Sequence, residues 1–182
     1  METFVAAKEF VTNPVYQKKR AQYSEGLNIQ TIDRPIVDIV LGFAEIPYCY
    51  TLQSCFGHFL CKNQNDENNI TPLPASGSIT SVLYRIAYIA LCIEQSDSGR
   101  MLFDRLAEIP KLDSQYIQFG SAGWFWKDNV NTYALQVEPD RYKTRDWATV
   151  GYQEALHIEE IRNQFFIRLR AIVNQLIATE SS

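Results

Sequence analysis

The run from residue 82 to residue 94 constrains the fold more than any other stretch of the chain. It is nearly continuous in Ile, Tyr, Ala, Leu and Cys, and Arg85 is its one charged residue before Glu94. Such continuity is typical of a central strand that is covered on both faces. The chain is therefore expected to be built around a sheet with other elements packed against it.

Shorter patterns on either side of this run predict the remaining elements. Residues rich in β-formers or alternating in polarity predict further strands at 48–55, 116–125 and 132–137. Apolar residues at three- and four-residue steps predict helices at 3–22, 33–47 and 101–109. Asp33 is expected to cap the second of these helices, and Pro35 fits within its first turn.

The C-terminal part of the chain predicts one long helix, from about residue 147 to residue 178. Its apolar stripe consists of Leu156, Ile161, Phe165, Leu169, Ile172, Val173 and Leu176. Residues 63–78 are polar and rich in Asn, Pro, Ser and Gly, which predicts a long loop that is either functional or disordered.

The order of these elements indicates the fold class. Helices and strands are mixed without strict alternation, which favours an α+β fold with a mixed, mainly antiparallel sheet, helices packed on it and a long C-terminal helix. No interdomain linker or internal repeat is visible, so residues 1–182 are expected to form a single domain.

Composition narrows the classes of function. A net charge of -4 and a pI near 5.2 argue against attraction of the whole molecule to nucleic acid or to an anionic membrane. The longest apolar run, residues 86–93, is too short to span a bilayer. Four cysteines in a chain without an export signal are expected to be thiols in a reducing cytoplasm.

The stretch from Tyr48 to Lys62 concentrates the reactive side chains. Cys55 and His58 lie three residues apart across Gly57, so a turn could bring the thiol and the imidazole together. A histidine beside a thiol can lower the thiol pKa and so prepare a nucleophile. The alternative is a buried small cysteine and a hydrogen-bonded strand histidine.

A metal site in the same stretch would use Cys49, Cys55, His58 and Cys61. Zinc ligands usually come as close pairs, whereas the steps here are six, three and three. On a straight strand the three cysteines face one side and His58 faces the other. A bend at Gly57 could still bring these residues together, but the spacing is not a known zinc pattern, so no residue is predicted to be a metal ligand.

The segment from Gly120 to Trp124 is the second local anomaly. Gly120 and Gly123 weaken a strand unless a β-bulge or the close approach of a ligand requires them. Ser121, Gly123 and Trp124 are accordingly candidate ligand-binding residues, with Trp124 offering a stacking surface or a dimer contact.

Residues 51–58 resemble a signature of the wybutosine-synthesising tRNA methyltransferase family, Thr-x-Ser-Ser-Cys-Ser-Gly-Arg. Ser54, Cys55 and Gly57 match, Thr51 lies one place further away, and His58 replaces the arginine. The segment 121–123 is similar to a Ser-Gly segment on a late strand of that family, and the order of elements is also similar.

This resemblance implies S-adenosylmethionine as the methyl donor and a modified guanosine of tRNA as the substrate. Cys55 and His58 are the candidate catalytic residues, and under the resemblance they would bind or orient the substrate together with Ser54. The residues expected to bind substrate or cofactor are Thr51, Ser54, Gly57, Ser121, Gly123 and Trp124. Catalysis would rest mainly on the positioning of donor and acceptor.

Two other classes of function remain open from the sequence. One is a non-enzymatic ligand-binding or homo-oligomeric assembly protein, which an exposed apolar flank on the long helix would favour. The other is a thiol- or metal-dependent hydrolase that uses Cys55 and His58, which requires Cys55 to be accessible. A closed pocket lined by Cys55, His58 and Ser121 would favour an enzyme.

Overall fold

The structure is a computed structural model that describes residues 4–62, 64–75, 78–139 and 146–180. Within these ranges the strands are β1 (Phe4–Val5), β2 (Cys49–Cys55), β3 (His58–Cys61), β4 (Ser81–Arg85), β5 (Ala87–Ile93), β6 (Ile117–Ala122), β7 (Thr132–Val137) and β8 (Trp147–Gly151). The α-helices are α1 (Tyr16–Glu25), α2 (Val37–Glu45), α3 (Asp97–Ala107), α4 (Gly123–Asp128) and α5 (Tyr152–Glu180). Short 3-10 helices lie at Ile29–Thr31, Arg34–Ile36 and Ile109–Leu112.

The strands form two sheets, and every pairing among the described strands is antiparallel. One sheet has five strands in the order β1-β6-β7-β5-β2, and the other has three in the order β3-β4-β8. The main core is shared by both sheets and by helices α2, α3 and α5. The predicted α+β class is confirmed, although the expected single sheet is divided into two.

The chain passes from one sheet to the other within residues 82–94, a stretch that was expected to form one strand. β4 and β5 are separated at Ile86, whose amide donates to the carbonyl of Asp146. β5 is buried along its length except at Tyr88, as expected of a strand covered on both faces. β4 instead alternates between buried and exposed residues.

The long C-terminal helix is confirmed, but it begins at Tyr152 and not near residue 147. Trp147–Gly151 forms β8, which pairs with β4 along its whole length. In β8 Ala148 and Val150 are buried, whereas Trp147 is half-buried and Thr149 and Gly151 are exposed. This alternation with period two is that of a half-buried strand, and it overrides continuation of the helix.

Two further segments differ from their predicted elements. The predicted strand 116–125 ends at Ala122, and α4 carries the aromatic residues that follow. The predicted N-terminal helix is confined to α1, while Phe4–Val5 pairs with β6 as an edge strand.

The loop 63–78 is anchored at several of its described positions; residues 63, 76 and 77 lie outside the described ranges. The amide of Leu73 donates to Oε1 of Glu159 at 3.0 Å. The hydroxyl of Tyr152 donates to the carbonyl of Pro74 at 2.5 Å. These contacts attach the loop to α5.

No helix in the described part of the chain is both long enough and apolar enough to cross a membrane.

Candidate functional site

The candidate site lies at a corner where two paired strands pass from one sheet to the other. β2 continues into β3 through Phe56 and Gly57, and its partner β5 continues backward into β4 through Ile86. Gly57 has φ +87, and a Cβ added to it would lie 2.8 Å from Cβ of Ala87. Both the backbone conformation and the close approach require glycine at this position.

His58 is held by both of its ring nitrogens. Nε2 lies 3.2 Å from Oδ2 of Asp33, and Nδ1 lies 3.2 Å from the carbonyl oxygen of Asn69. One atom each from Asp33, Cys55 and His58 lie within 4.8 Å of one another. The bend at Gly57 thus brings the predicted residues Cys55 and His58 together, and the amide of Gly57 donates to Sγ of Cys55 at 3.4 Å.

This cluster is almost fully removed from solvent. His58 is 1% exposed and Cys55 3%, whereas the side chain of Asp33 is 20% exposed. A nucleophilic thiol needs access to its substrate, and Cys55 does not have that access in this structure.

The electrostatics of the cluster favour an ion pair. Burial alone would lower the pKa of His58, but hydrogen bonds with Asp33 and Cys55 outweigh it and raise the pKa to about 10. Burial would raise the pKa of Asp33, but the hydrogen bonds from His58 and from the amide of Phe56 hold that pKa below its ordinary value. At neutral pH the imidazole therefore carries both ring protons and the carboxylate is ionised.

Asp33 joins the cluster in place of its expected role as a helix cap. Its side chain makes no capping hydrogen bond, and its Oδ2 accepts from the amide of Phe56 at 2.7 Å. No pattern in the sequence indicated this role, because an aspartate two residues before Pro35 is fully explained as a helix cap.

Arg162 of α5 packs against the same corner. It is 4% exposed, its Nη1 donates to the carbonyl of Gly57 at 3.1 Å, and its guanidinium lies 4.1 Å from the ring centroid of Phe56. Burial lowers the pKa of Arg162. This buried arginine on an otherwise apolar helix face was also missed by sequence reasoning.

A groove runs beside β2, next to the corner, and has a volume of about 520 Å³. Among the described strands β2 is the last of its sheet, and one of its edges has no neighbouring strand there. A β-bulge between Thr51 and Gln53 interrupts the pairing with β5. The groove is lined by Tyr23, Gly26, Leu27, Asn28, Thr31, Ile32, Val40, Thr51, Leu52, Gln53, Ser54, Arg85 and Tyr88.

Two of the predicted binding residues, Thr51 and Ser54, therefore line the same groove. The hydroxyl oxygen of Thr51 is buried and has no hydrogen-bond partner within the described residues. Such an atom is costly to bury unless something satisfies it. The hydroxyl of Tyr88 donates to Oε1 of Gln53 at 3.2 Å, and burial raises its pKa to about 12, so it remains a donor at neutral pH.

Trp124 lies beside a second, smaller cavity of about 280 Å³. This cavity shares Tyr23, Leu52 and Gln53 with the groove, and Phe125 of α4 also lines it. Trp124 is 52% exposed, on a helix and not on the strand that its neighbours predicted. The two cavities are therefore contiguous along β2.

Ser121 and Gly123 do not meet the corner. Ser121 lies on β6, three strands away from β2 and therefore about 14 Å from it. Its hydroxyl accepts from the amide of Lys8 at 3.1 Å. Gly123 opens α4 and lines neither cavity.

The remaining cysteines and the second histidine lie elsewhere. The thiol of Cys49 donates to the carbonyl of Phe43 at 3.5 Å, and Cys61 is half-buried on β3. Among the described residues neither belongs to the group around His58. His157 lies 3.4 Å from a carboxylate oxygen of Asp113.

Two structural features were expected to distinguish the classes of function: an exposed apolar flank on the long helix, and a closed pocket lined by Cys55, His58 and Ser121. The apolar stripe of α5 is buried except at Leu156, which is half-buried, and Ile167 is a large apolar residue of that helix that is strongly exposed. Neither of the two cavities described above is lined by Cys55, His58 or Ser121. The open groove beside β2 is large enough to receive a ligand.

Comparison with models of protein families and with curated proteins gives no match. Among solved structures, the chain is similar to the PH1069 protein from Pyrococcus horikoshii at 12% sequence identity and a TM-score of 0.46. The similarity covers 91% of this chain and 94% of the other. A similarity at this level carries no argument about function.

Proposed function

We propose that the protein is an S-adenosylmethionine-dependent methyltransferase that binds its ligands in the groove beside β2, with a modified nucleoside of tRNA as the acceptor. The observation that carries this proposal is the position of Thr51 and Ser54, two residues of the methyltransferase-like stretch, in one groove. The donor and the tRNA acceptor come from the sequence resemblance described above.

The groove fits a ligand of this size and chemistry. Its volume of about 520 Å³ lies within the range of about 300 to 1,000 Å³ typical of small-molecule sites. Ser54 supplies a hydroxyl, and Gln53 supplies an amide. Arg85 supplies a cation suited to a carboxylate or phosphate group.

Within the proposal each side chain has a task of binding or orientation. Ser54 would hydrogen-bond to the ligand through its hydroxyl, Thr51 would form part of the groove wall, and Tyr88 would present its protonated hydroxyl on the other side of the bulge. Bound S-adenosylmethionine supplies an electrophilic methyl group. Because Cys55 is buried, we assign it and His58 to supporting the groove wall and not to attack on a substrate.

The same proposal places the protein in the cytoplasm. All four cysteines are free, and free thiols persist in a reducing compartment.

A calorimetric and thermal-shift titration with S-adenosylmethionine tests the proposal. A ligand that binds only the native state raises its stability, by about 2.7 kcal/mol at a hundredfold excess over the dissociation constant. We expect such a rise for the native protein and weaker binding for Ser54→Ala. Ser81→Ala, an exposed strand serine outside the groove, is the matched control and should bind normally.

Transfer of a labelled methyl group to bulk tRNA is the second measurement. We expect incorporation with the native protein and a lower rate with Ser54→Ala. Absence of binding at millimolar S-adenosylmethionine, together with absence of incorporation, would refute the proposal.

A further inference from the structure

We propose that Asp33, Cys55 and His58 form a binding site for a divalent transition-metal ion, and that zinc is the ion this ligand set favours. Carboxylate oxygen, imidazole nitrogen and thiolate sulfur are the three ligand types that zinc takes in proteins. The proposal does not depend on the methyltransferase activity. It also differs from the sequence-based candidate set, because Asp33 replaces Cys49 and Cys61.

The spacing of the ligand atoms suits a small ion. Tetrahedral zinc with bonds of about 2.0 to 2.1 Å holds a nitrogen and an oxygen about 3.3 Å apart. Nε2 of His58 and Oδ2 of Asp33 lie 3.2 Å apart. All three ligand atoms lie within 4.8 Å of one another, so side-chain rotation has to close only about 1 Å to bring sulfur to its usual distance of about 2.3 Å from zinc.

The surroundings of the three side chains orient them as ligands. Nδ1 of His58 faces the carbonyl of Asn69 at 3.2 Å, so Nδ1 is the nitrogen that keeps its hydrogen and Nε2 is the one that can bind a metal. The amide of Phe56 donates to Oδ2 of Asp33, and the amide of Gly57 donates to the sulfur of Cys55. Such hydrogen bonds from outside the ligand set are typical of metal sites.

Charge and access also agree with a bound cation. Coordination requires the thiol proton of Cys55 and the Nε2 proton of His58 to leave to solvent. The metal ion then takes the place of the proton between His58 and Asp33, and the carboxylate and thiolate neutralise its two positive charges. Asp33 is the partly exposed member of the cluster and marks the side from which an ion enters.

Metal titration of chelator-treated full-length protein tests this site. We expect zinc to bind with one ion per chain by calorimetry. Cobalt should give the visible absorption of a tetrahedral ion and a near-ultraviolet band from charge transfer between sulfur and cobalt, which reports the thiolate ligand directly.

Two ligand variants and two cysteine controls make the result specific. Asp33→Asn keeps an oxygen for the amide of Phe56 and Cys55→Ala is a small change, so at least one variant should fold by circular dichroism. We expect both to weaken zinc binding by roughly a hundredfold or more. Cys92→Ala, at another buried cysteine, and Cys61→Ala should bind normally.

Three results would overturn the site. The first is the absence of zinc and cobalt binding by the native protein at millimolar metal. The second is loss of binding in Cys61→Ala but not in Cys55→Ala. The third is a cobalt complex without the sulfur band. Because no methyl donor is present, none of these results bears on the proposed activity.

Discussion

The stretch from Thr51 to His58 passes through two different environments within eight residues. Its first half, with Thr51 and Ser54, lines an open groove along the edge of β2. Its second half, with Cys55 and His58, is buried in the corner between the two sheets. The groove contains a hydroxyl without a partner in the described residues, whereas the corner contains a densely hydrogen-bonded ion pair.

This difference separates the residues that can bind a ligand from those that shape its site. A substitution in the corner should act first on stability, because its groups are buried and mutually bonded. A substitution in the groove should act first on binding. The predictions that follow test this division, beginning with the largest expected effect.

Gly57→Ala should lower the free energy of unfolding by about 3 to 4 kcal/mol, since it adds strain at positive φ to overpacking against Ala87. Urea denaturation measures this change. Gly151→Ala is the control, because a Cβ at Gly151 would meet no atom within 4 Å, and its effect should stay within about 0.5 kcal/mol. Equal effects of the two substitutions would contradict the packing described at the corner.

Arg162→Gln should cost about 2 kcal/mol of unfolding free energy, because the shorter neutral side chain leaves the carbonyl of Gly57 and the carboxylate of Glu159 without their charged partner. Chemical denaturation again provides the measurement. Arg168→Gln, at an exposed position of the same helix, should change stability little. A loss as large in Arg168→Gln would show that helix propensity and not burial sets the effect.

Local pattern in the sequence predicted about half of the corner. Gly57 predicted a bend in the chain. In the structure this bend by itself brings the neighbouring residues Cys55 and His58 together. Asp33 and Arg162 come from distant parts of the chain, and each has a complete local explanation, as a helix cap and as a charged residue on a long helix. Their positions in the corner result from the tertiary packing of α5 and of the segment before α2, which local sequence patterns do not indicate.

Prediction of the fold from the sequence was limited for the same reason. Apolar periodicity predicted the α+β class, the strand β7 and the long helix. It did not predict the break at Ile86, because Leu83 on the exposed face of β4 is also apolar, so the apolar composition does not change where the chain passes from one sheet to the other. It also did not predict α4, because Trp124, Phe125 and Trp126 favour a strand by propensity.

Thr51→Val should raise the free energy of unfolding by about 0.5 to 1 kcal/mol without ligand, because valine removes a buried hydroxyl that lacks a partner in the described residues. Ser54→Ala, at the other hydroxyl residue of the groove, is expected instead to weaken binding of S-adenosylmethionine. Thr132→Val is the matched control: that buried hydroxyl donates to the carbonyl of Asn129 at 2.6 Å, and its loss should cost about 1 kcal/mol or more. Destabilisation by Thr51→Val would mean that its hydroxyl is satisfied within the protein.

Asp38→Asn should have the smallest effect, because the ion pair between Asp38 and Arg170 is exposed, in contrast to the pair in the corner. Solvent screening limits the loss at neutral pH to less than about 1 kcal/mol. The hydrogen bond from Arg170 holds the pKa of Asp38 below its ordinary value of 3.8. The contribution of the pair is therefore present above that value and is lost as the pH falls through the lower pKa of the folded state.

Urea denaturation of the native protein and of Asp38→Asn, at neutral and at acid pH and at low and high salt, measures this contribution. The difference between the two proteins should shrink toward acid pH and with added salt. Asp104→Asn, at an exposed position of α3, controls for the general effect of removing a surface charge. A salt-independent loss of more than about 2 kcal/mol would show that Asp38 and Arg170 behave as a buried pair. In that case burial alone would not explain why substitutions in the corner change stability more than substitutions elsewhere.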